Sequence, residues 1–162
     1  MIDLYGLPAD FPGRESVPPA LPAAGRARQH EAALASDIAA RLGPLPVGRR
    51  LIPYLPLHEF EALLFSDPPA FAAAFPDRPD AIKPLQAIRD GFSDPEAIDD
   101  GPTTAPSKRL LGILPGYEKS VAGILSAQRI GLATLRRECR HFDAWVTRLS
   151  ALPHEGPSPG NL

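Results

Sequence analysis

The chain has 162 residues, 44% of them hydrophobic, and a formal net charge of −2. That is enough chain and enough apolar content to bury one core, and it excludes general disorder. A single cysteine, Cys139, excludes an internal disulfide and fits a reducing compartment, and no apolar run approaches the roughly 20 residues that span a bilayer. The charge is uneven: residues 1–102 carry nine Lys/Arg against fifteen Asp/Glu, and residues 103–162 carry eight against four. An acidic first part suits a cation and a basic second part suits phosphate, although a solvated surface with chance unevenness reads the same way.

The opening Met1-Ile2-Asp3-Leu4-Tyr5 reads as a short strand ended by Gly6 and Pro8. It lacks the charged and then apolar pattern of a secretory leader, so a cytoplasmic location is expected. Residues 6–25 are rich in proline and glycine and read as loop. Ala33, Leu34, Ile38 and Leu42 form an amphipathic stripe, which predicts a helix over 26–42 stopped by Gly43 and Pro44. Residues 51–57, Leu-Ile-Pro-Tyr-Leu-Pro-Leu, are apolar and β-capable. Pro53 and Pro56 lack ladder donors, which restricts this strand to an edge or to pairing on one side.

A helix is expected to open near His58 and run through Phe65, and Ser66-Asp67-Pro68 to start another that reaches Phe75. Residues 80–88 are weakly helical around Pro84, and Ser93-Asp94-Pro95-Glu96 is a further helix start. Asp99-Asp100-Gly101-Pro102 reads as a turn, and residues 103–109 as a basic loop or helix lead-in. Helices follow over 118–128 and 133–149, then a frayed tail over 151–162. The chain has 21 prolines, well over twice the usual share of about 5%. Spread along its length, they punctuate many short elements.

Two features carry chemistry. Asp3 stands near a strand end beside a Gly/Pro turn, where a carboxylate either caps the turn or binds a hard cation. His58-Glu59-Phe60-Glu61 follows the second strand directly. At about 100° per residue His58 and Glu61 share a helix face, about 60° apart, while Glu59 points nearly opposite Glu61. The spacing favours Glu61 inside with His58, and an irregular first turn would put Glu59 there instead. Glutamates at a helix start are also favoured by the macrodipole alone. The run is not the His-Glu-x-x-His zinc motif, because no second histidine follows at the required place. Ser107-Lys108-Arg109, with Lys119 beyond Pro115-Gly116-Tyr117, is either a solvated basic face or a phosphate contact. His141 and Trp145 read as core, and Cys139 as a buried inert thiol. There is no Walker loop and no dinucleotide-binding glycine fingerprint.

Four blocks in order resemble the domain-of-unknown-function family 4276. They are Asp3-Leu4-Tyr5-Gly6-Leu7-Pro8 with Asp10-Phe11-Pro12-Gly13; residues 57–67 from Leu57 to Asp67; Asp100-Gly101-Pro102 through Arg109; and Pro115-Gly116-Tyr117. The resemblance runs from Met1 to about Leu149, with residues 1–150 as one domain. It implies an α/β, Toprim-like fold: a small, mostly parallel sheet flanked by helices, with a helical C-terminal half and acidic residues that hold Mg²⁺ or Mn²⁺. It also implies Asp3, Glu59 and Glu61 as metal ligands, His58, Glu59 and Glu61 as catalytic groups, and Lys108 and Arg109 as phosphate contacts.

The implied function is a metal-dependent nuclease or phosphotransfer domain acting on nucleic acid in defence against foreign DNA, with an AAA-type ATPase as a partner. The family pattern begins earlier, with a strand and helix carrying a Val-Glu-Gly-x-Thr-Glu type motif. This implies that the first strand is missing and that catalysis belongs to a longer parent. The rival readings are a non-catalytic partner of the ATPase and an N-terminally truncated, inactive gene product.

Overall fold

A computed structural model describes residues 3–43, 51–98 and 103–152. In chain order the α-helices are α1 (Ala23–Leu42), α2 (Phe60–Leu64), α3 (Ile82–Asp90), α4 (Pro106–Ile113), α5 (Ile124–Glu138) and α6 (Arg140–Ser150). Single 3₁₀ turns cover Pro68–Ala73, Pro79–Ala81 and Pro95–Ala97, each opened by a proline. A missing N–H and a fixed φ suit proline to a first turn, so the unusual proline content is spent on starting short helical pieces. A π-helical turn, Lys119–Gly123, leads into α5. The turn at 99–102 and the tail from 153 onward lie outside the described residues.

The expected α/β sheet is absent: the described residues contain helices, turns and irregular chain, and no strand. Both expected strands fail for a physical reason. At Asp3 the side chain competes for the backbone, its Oδ1 accepting from the N–H groups of Tyr5 at 3.1 Å and Gly6 at 2.8 Å. A short acidic side chain that bonds its own neighbours makes a turn. Residues 51–56 belong to no helix and no strand. Pro53 and Pro56 have no N–H, and helix side chains take up three of the other backbone polar groups. Leu55 N–H donates to Glu31 of α1 at 2.8 Å, Leu55 C=O accepts from His141 of α6 at 3.0 Å, and Ile52 C=O accepts from Trp145 Nε1 at 3.1 Å. Among the described residues one backbone bond, Leu4 N–H to Pro56 C=O at 3.0 Å, joins the two segments.

The expected helix over 26–42 begins slightly earlier, at Ala23. The one expected over 133–149 is two helices, broken at Cys139, whose backbone is extended (φ −112°, ψ 96°). Glu96 accounts for the break. Its two carboxylate oxygens accept from the N–H groups of His141 at 2.7 Å and Phe142 at 3.1 Å, capping α6 from a distant turn. Within α5, Gly131 has φ +74°, a conformation that L side chains rarely adopt, and it kinks the helix.

Two apolar clusters result. The larger gathers Leu64 and Phe65 from the end of α2, Phe71, Leu85, Ile98, Leu110, Leu114 and Ile130. The smaller packs Leu4 and Leu7 with Leu55 and Leu57 against Ala27 of α1. Between α1 and α6, Tyr54 stacks on His141 and Trp145 with ring centroids 5.3 and 4.8 Å away.

His141 Nε2 lies 3.2 Å from Glu31 Oε1 and 3.0 Å from Leu55 C=O, both acceptors, so this nitrogen carries a proton. Burial alone would drive the imidazole toward neutrality. The Glu31 carboxylate outweighs it and holds the His141 pKa above the ordinary imidazole value. The native chain therefore keeps this proton longer than the unfolded chain does. The stabilisation is complete below the ordinary imidazole pKa and falls away as pH climbs through the raised value. Urea unfolding of the wild type should show stability declining from pH 6 upward, with the slope lost in His141→Gln. Glu31→Ala should cost about 3 kcal/mol, because it strands a buried histidine and the Leu55 N–H.

Candidate functional site

The site lies where the Asp3 turn, the start of α2 and the π-turn before α5 meet. Asp3, His58, Glu59, Phe60 and Lys119 line one cavity of about 240 Å³. Asp3 is oriented by its two backbone hydrogen bonds, and Leu4 is pinned to Pro56. His58 is buried and stacks on the Tyr5 ring, centroids 5.1 Å apart and planes 19° off parallel. Arg26 of α1 holds Tyr5 from outside, donating to its hydroxyl at 3.1 Å with the guanidinium 5.2 Å from the ring centroid.

The two glutamates take different roles. Glu59 precedes the first turn of α2 in extended conformation (φ −58°, ψ 154°), so it does not follow helical geometry. Its side chain lines the cavity, and its Oε2 accepts the Ser107 N–H at 2.8 Å, at the head of α4. A carboxylate there satisfies one of the orphan donors of that helix. Glu61 is inside α2 and 2% exposed. Its Oε2 is 2.8 Å from Lys119 Nζ, and its Oε1 is within a long 3.5 Å of the Tyr117 hydroxyl. Burial, with Glu61 alongside, pushes the Tyr117 hydroxyl pKa well above the usual phenol value. Gly123 makes this packing fit: a Cβ there would sit 2.8 Å from Tyr117 Oη and 3.4 Å from the Phe60 ring.

Asp3, His58 and Glu59 thus come together. Glu61 stands behind them, joined through Lys119. The carboxylate sharing the cavity with Asp3 is Glu59, the alternative that helical spacing disfavoured, because the α-helix starts only at Phe60. Lys108 is exposed on α4 and does not line the cavity. Arg109 is engaged elsewhere, donating to Thr104 C=O and lying over the Phe92 ring at 5.5 Å. The cation at the site is Lys119. Its only sequence signal is its place just after the Pro115-Gly116-Tyr117 block. Neither the Tyr117 contact nor Gly123 has a signal in spacing or composition.

Cys139 is buried against Ser66, its Sγ 3.2 Å from the hydroxyl oxygen, and burial pushes its pKa up to about 12. That is the inert thiol the sequence suggested.

Among the described residues, no three His, Cys, Asp or Glu side chains gather closely enough to form a metal cage. Asp3 and Glu59 both line the cavity. Mg²⁺ and similar hard cations are commonly held by one or two carboxylates, with water and phosphate oxygens filling the other positions. The donor set fits such an open site and does not fit a closed structural one.

The model of the domain of unknown function family DUF4276 matches residues 1–150, and the chain belongs to that family. No curated protein and no solved structure was found to match it. Among the described residues no helix is long and apolar enough to cross a membrane.

The Lys119–Glu61 pair should behave as a unit. Lys119→Met leaves a buried carboxylate without its cation and should cost about 1–3 kcal/mol in urea unfolding. Adding Glu61→Gln should recover most of that loss. An undiminished loss in the double variant would show that the two are not coupled.

Proposed function

We propose that this member of the DUF4276 family contributes a phosphodiester-cleaving site to nucleic-acid processing, assisted by Mg²⁺ or Mn²⁺. The observation that supports this reading is the convergence of Asp3, His58, Glu59 and Lys119 on one cavity from three separate stretches of chain. Two carboxylates, an imidazole and an ammonium are the groups that phosphoryl transfer calls on.

Asp3 and Glu59 are the residues that would hold the cation. When bound, a divalent ion there would polarise a phosphoryl oxygen and offset charge developing in the transition state. Lys119 supplies positive charge to a non-bridging phosphate oxygen, drawn partly away from Glu61, which keeps it extended toward the cavity. Histidine exchanges protons near neutral pH. His58, held in place by Tyr5, is positioned to take a proton from an attacking water or to return one to the departing oxygen. Glu59 already accepts the Ser107 N–H, so the carboxylate is oriented before any cation arrives. Arg109 contacts Thr104 and Phe92, and in this reading the phosphate contact at the cavity is Lys119.

Two readouts test this. Calorimetric titration with Mn²⁺ should give binding that Asp3→Asn and Glu59→Gln each weaken about 10- to 100-fold. Cleavage of single- and double-stranded DNA and RNA should require the same ions and fall about 100-fold or more in His58→Gln, while Lys108→Ala cuts like the wild type. Mn²⁺ binding that is indifferent to both carboxylate substitutions would end the proposal.

A further inference from the structure

The π-turn Lys119–Gly123 and the first turns of α5 together present apolar residues on two opposite faces. Ala122, Ser126 and Ile130 point into the protein, whereas Val121, Ile124 and Leu125 on the other side are 55%, 51% and 42% exposed. Isolated exposed apolar residues are ordinary, but a contiguous patch marks an interaction surface. Beside this patch is a cavity of about 140 Å³ lined by Phe75, Val121, Leu125 and Glu118, roughly one side chain in size. The face is therefore both apolar and indented, ready to take a protruding side chain.

We infer that this face binds a second copy of the chain, with the two α5 helices packed antiparallel about a twofold axis near Ile124. The argument for this occupant is charge. Glu118 lies at the N-terminal end of the patch, on the flank of Val121 and Leu125, since the three line the same cavity. Arg129 is four residues beyond Leu125, one helical turn further along that flank. Both side chains are exposed, and among the described residues neither has an ion-pair partner. Antiparallel helices related by a twofold axis bring like flanks together with their ends reversed. Glu118 of each copy then faces Arg129 of the other, on both sides of a centre made by Val121, Ile124 and Leu125. An isologous interface requires this self-complementarity. The other cations nearby are already engaged, Lys119 with Glu61, Arg136 with Asp143 and Arg137 with Glu138, so they do not oppose the approach. One helix pair is a small contact, and the dimer is weak and concentration-dependent.

Sedimentation velocity on the full chain, from about 5 to about 500 µM, should show a monomer–dimer equilibrium. Val121→Lys should hold the protein monomeric with its circular dichroism and melting curve unchanged, since the residue is exposed. Glu118→Arg alone, or Arg129→Glu alone, should weaken self-association by about fivefold or more. An equimolar mixture of the two variants should restore it, because each then offers the charge the other lacks. Monomer throughout the concentration range overturns the inference, as does a dimer that ignores these substitutions or a mixture that fails to recover.

Discussion

The fold depends on the grip that two helices keep on one extended segment. Residues 51–56 have the composition of a strand and none of its partners. Their polar groups are buried at Leu55, where neither water nor a neighbouring strand is available, and an unsatisfied peptide group there would cost about 1–3 kcal/mol. Glu31 from α1 and His141 from α6 satisfy that residue on both sides, and Trp145 takes the Ile52 carbonyl. This clasp holds the first helix and the last to the same piece of chain, together with the packing of Leu55 on Ala27 and of Tyr54 on Trp145. The clasp is also ionic, a histidine and a glutamate taken out of water together, so its strength depends on keeping both partners.

The candidate site inherits its position from this grip. Leu57 and His58 follow directly, and the extended path delivers them to the Asp3 turn through the Leu4–Pro56 hydrogen bond. The acidic groups are then sorted by their surroundings rather than by sequence. Glu61 goes into the core, where it pairs with Lys119. Glu59 stays at the cavity because α2 has not yet begun there and because the head of α4 offers it a backbone donor. Two glutamates separated by a single residue thus acquire different tasks, one holding a lysine and the other facing the opening.

How far this was legible in the sequence depends on the range of the deciding interaction. Features set locally were readable: the stripe that buries one side of α1, the proline-led starts of the short helices, and the buried thiol. Features set across the chain were not. Residues 51–57 have the apolar composition of a strand, with Pro53 and Pro56 as the local signal against it, and the partners that replace a sheet, Glu31 and His141, are distant in sequence. The break at Cys139 has no proline or glycine to announce it. It is fixed by Glu96, which caps α6 from more than forty residues upstream. The position of Lys119 beside the cavity has the same origin, because it pairs with Glu61, a carboxylate buried by the fold.

The unpaired extended segment has a bearing on solubility. Alternate residues of an extended chain present their backbone groups to the same side. Pro53 and residues 55–58 are buried, and the Leu55 amide is already bound to Glu31, so a visiting strand finds little backbone within reach. Exposed strand edges are where proteins stick to one another and begin to form fibres. Here the chain keeps a β-prone run of apolar residues while offering a visiting strand almost nothing to hold, so the prolines that prevent a sheet from forming also protect against misassembly.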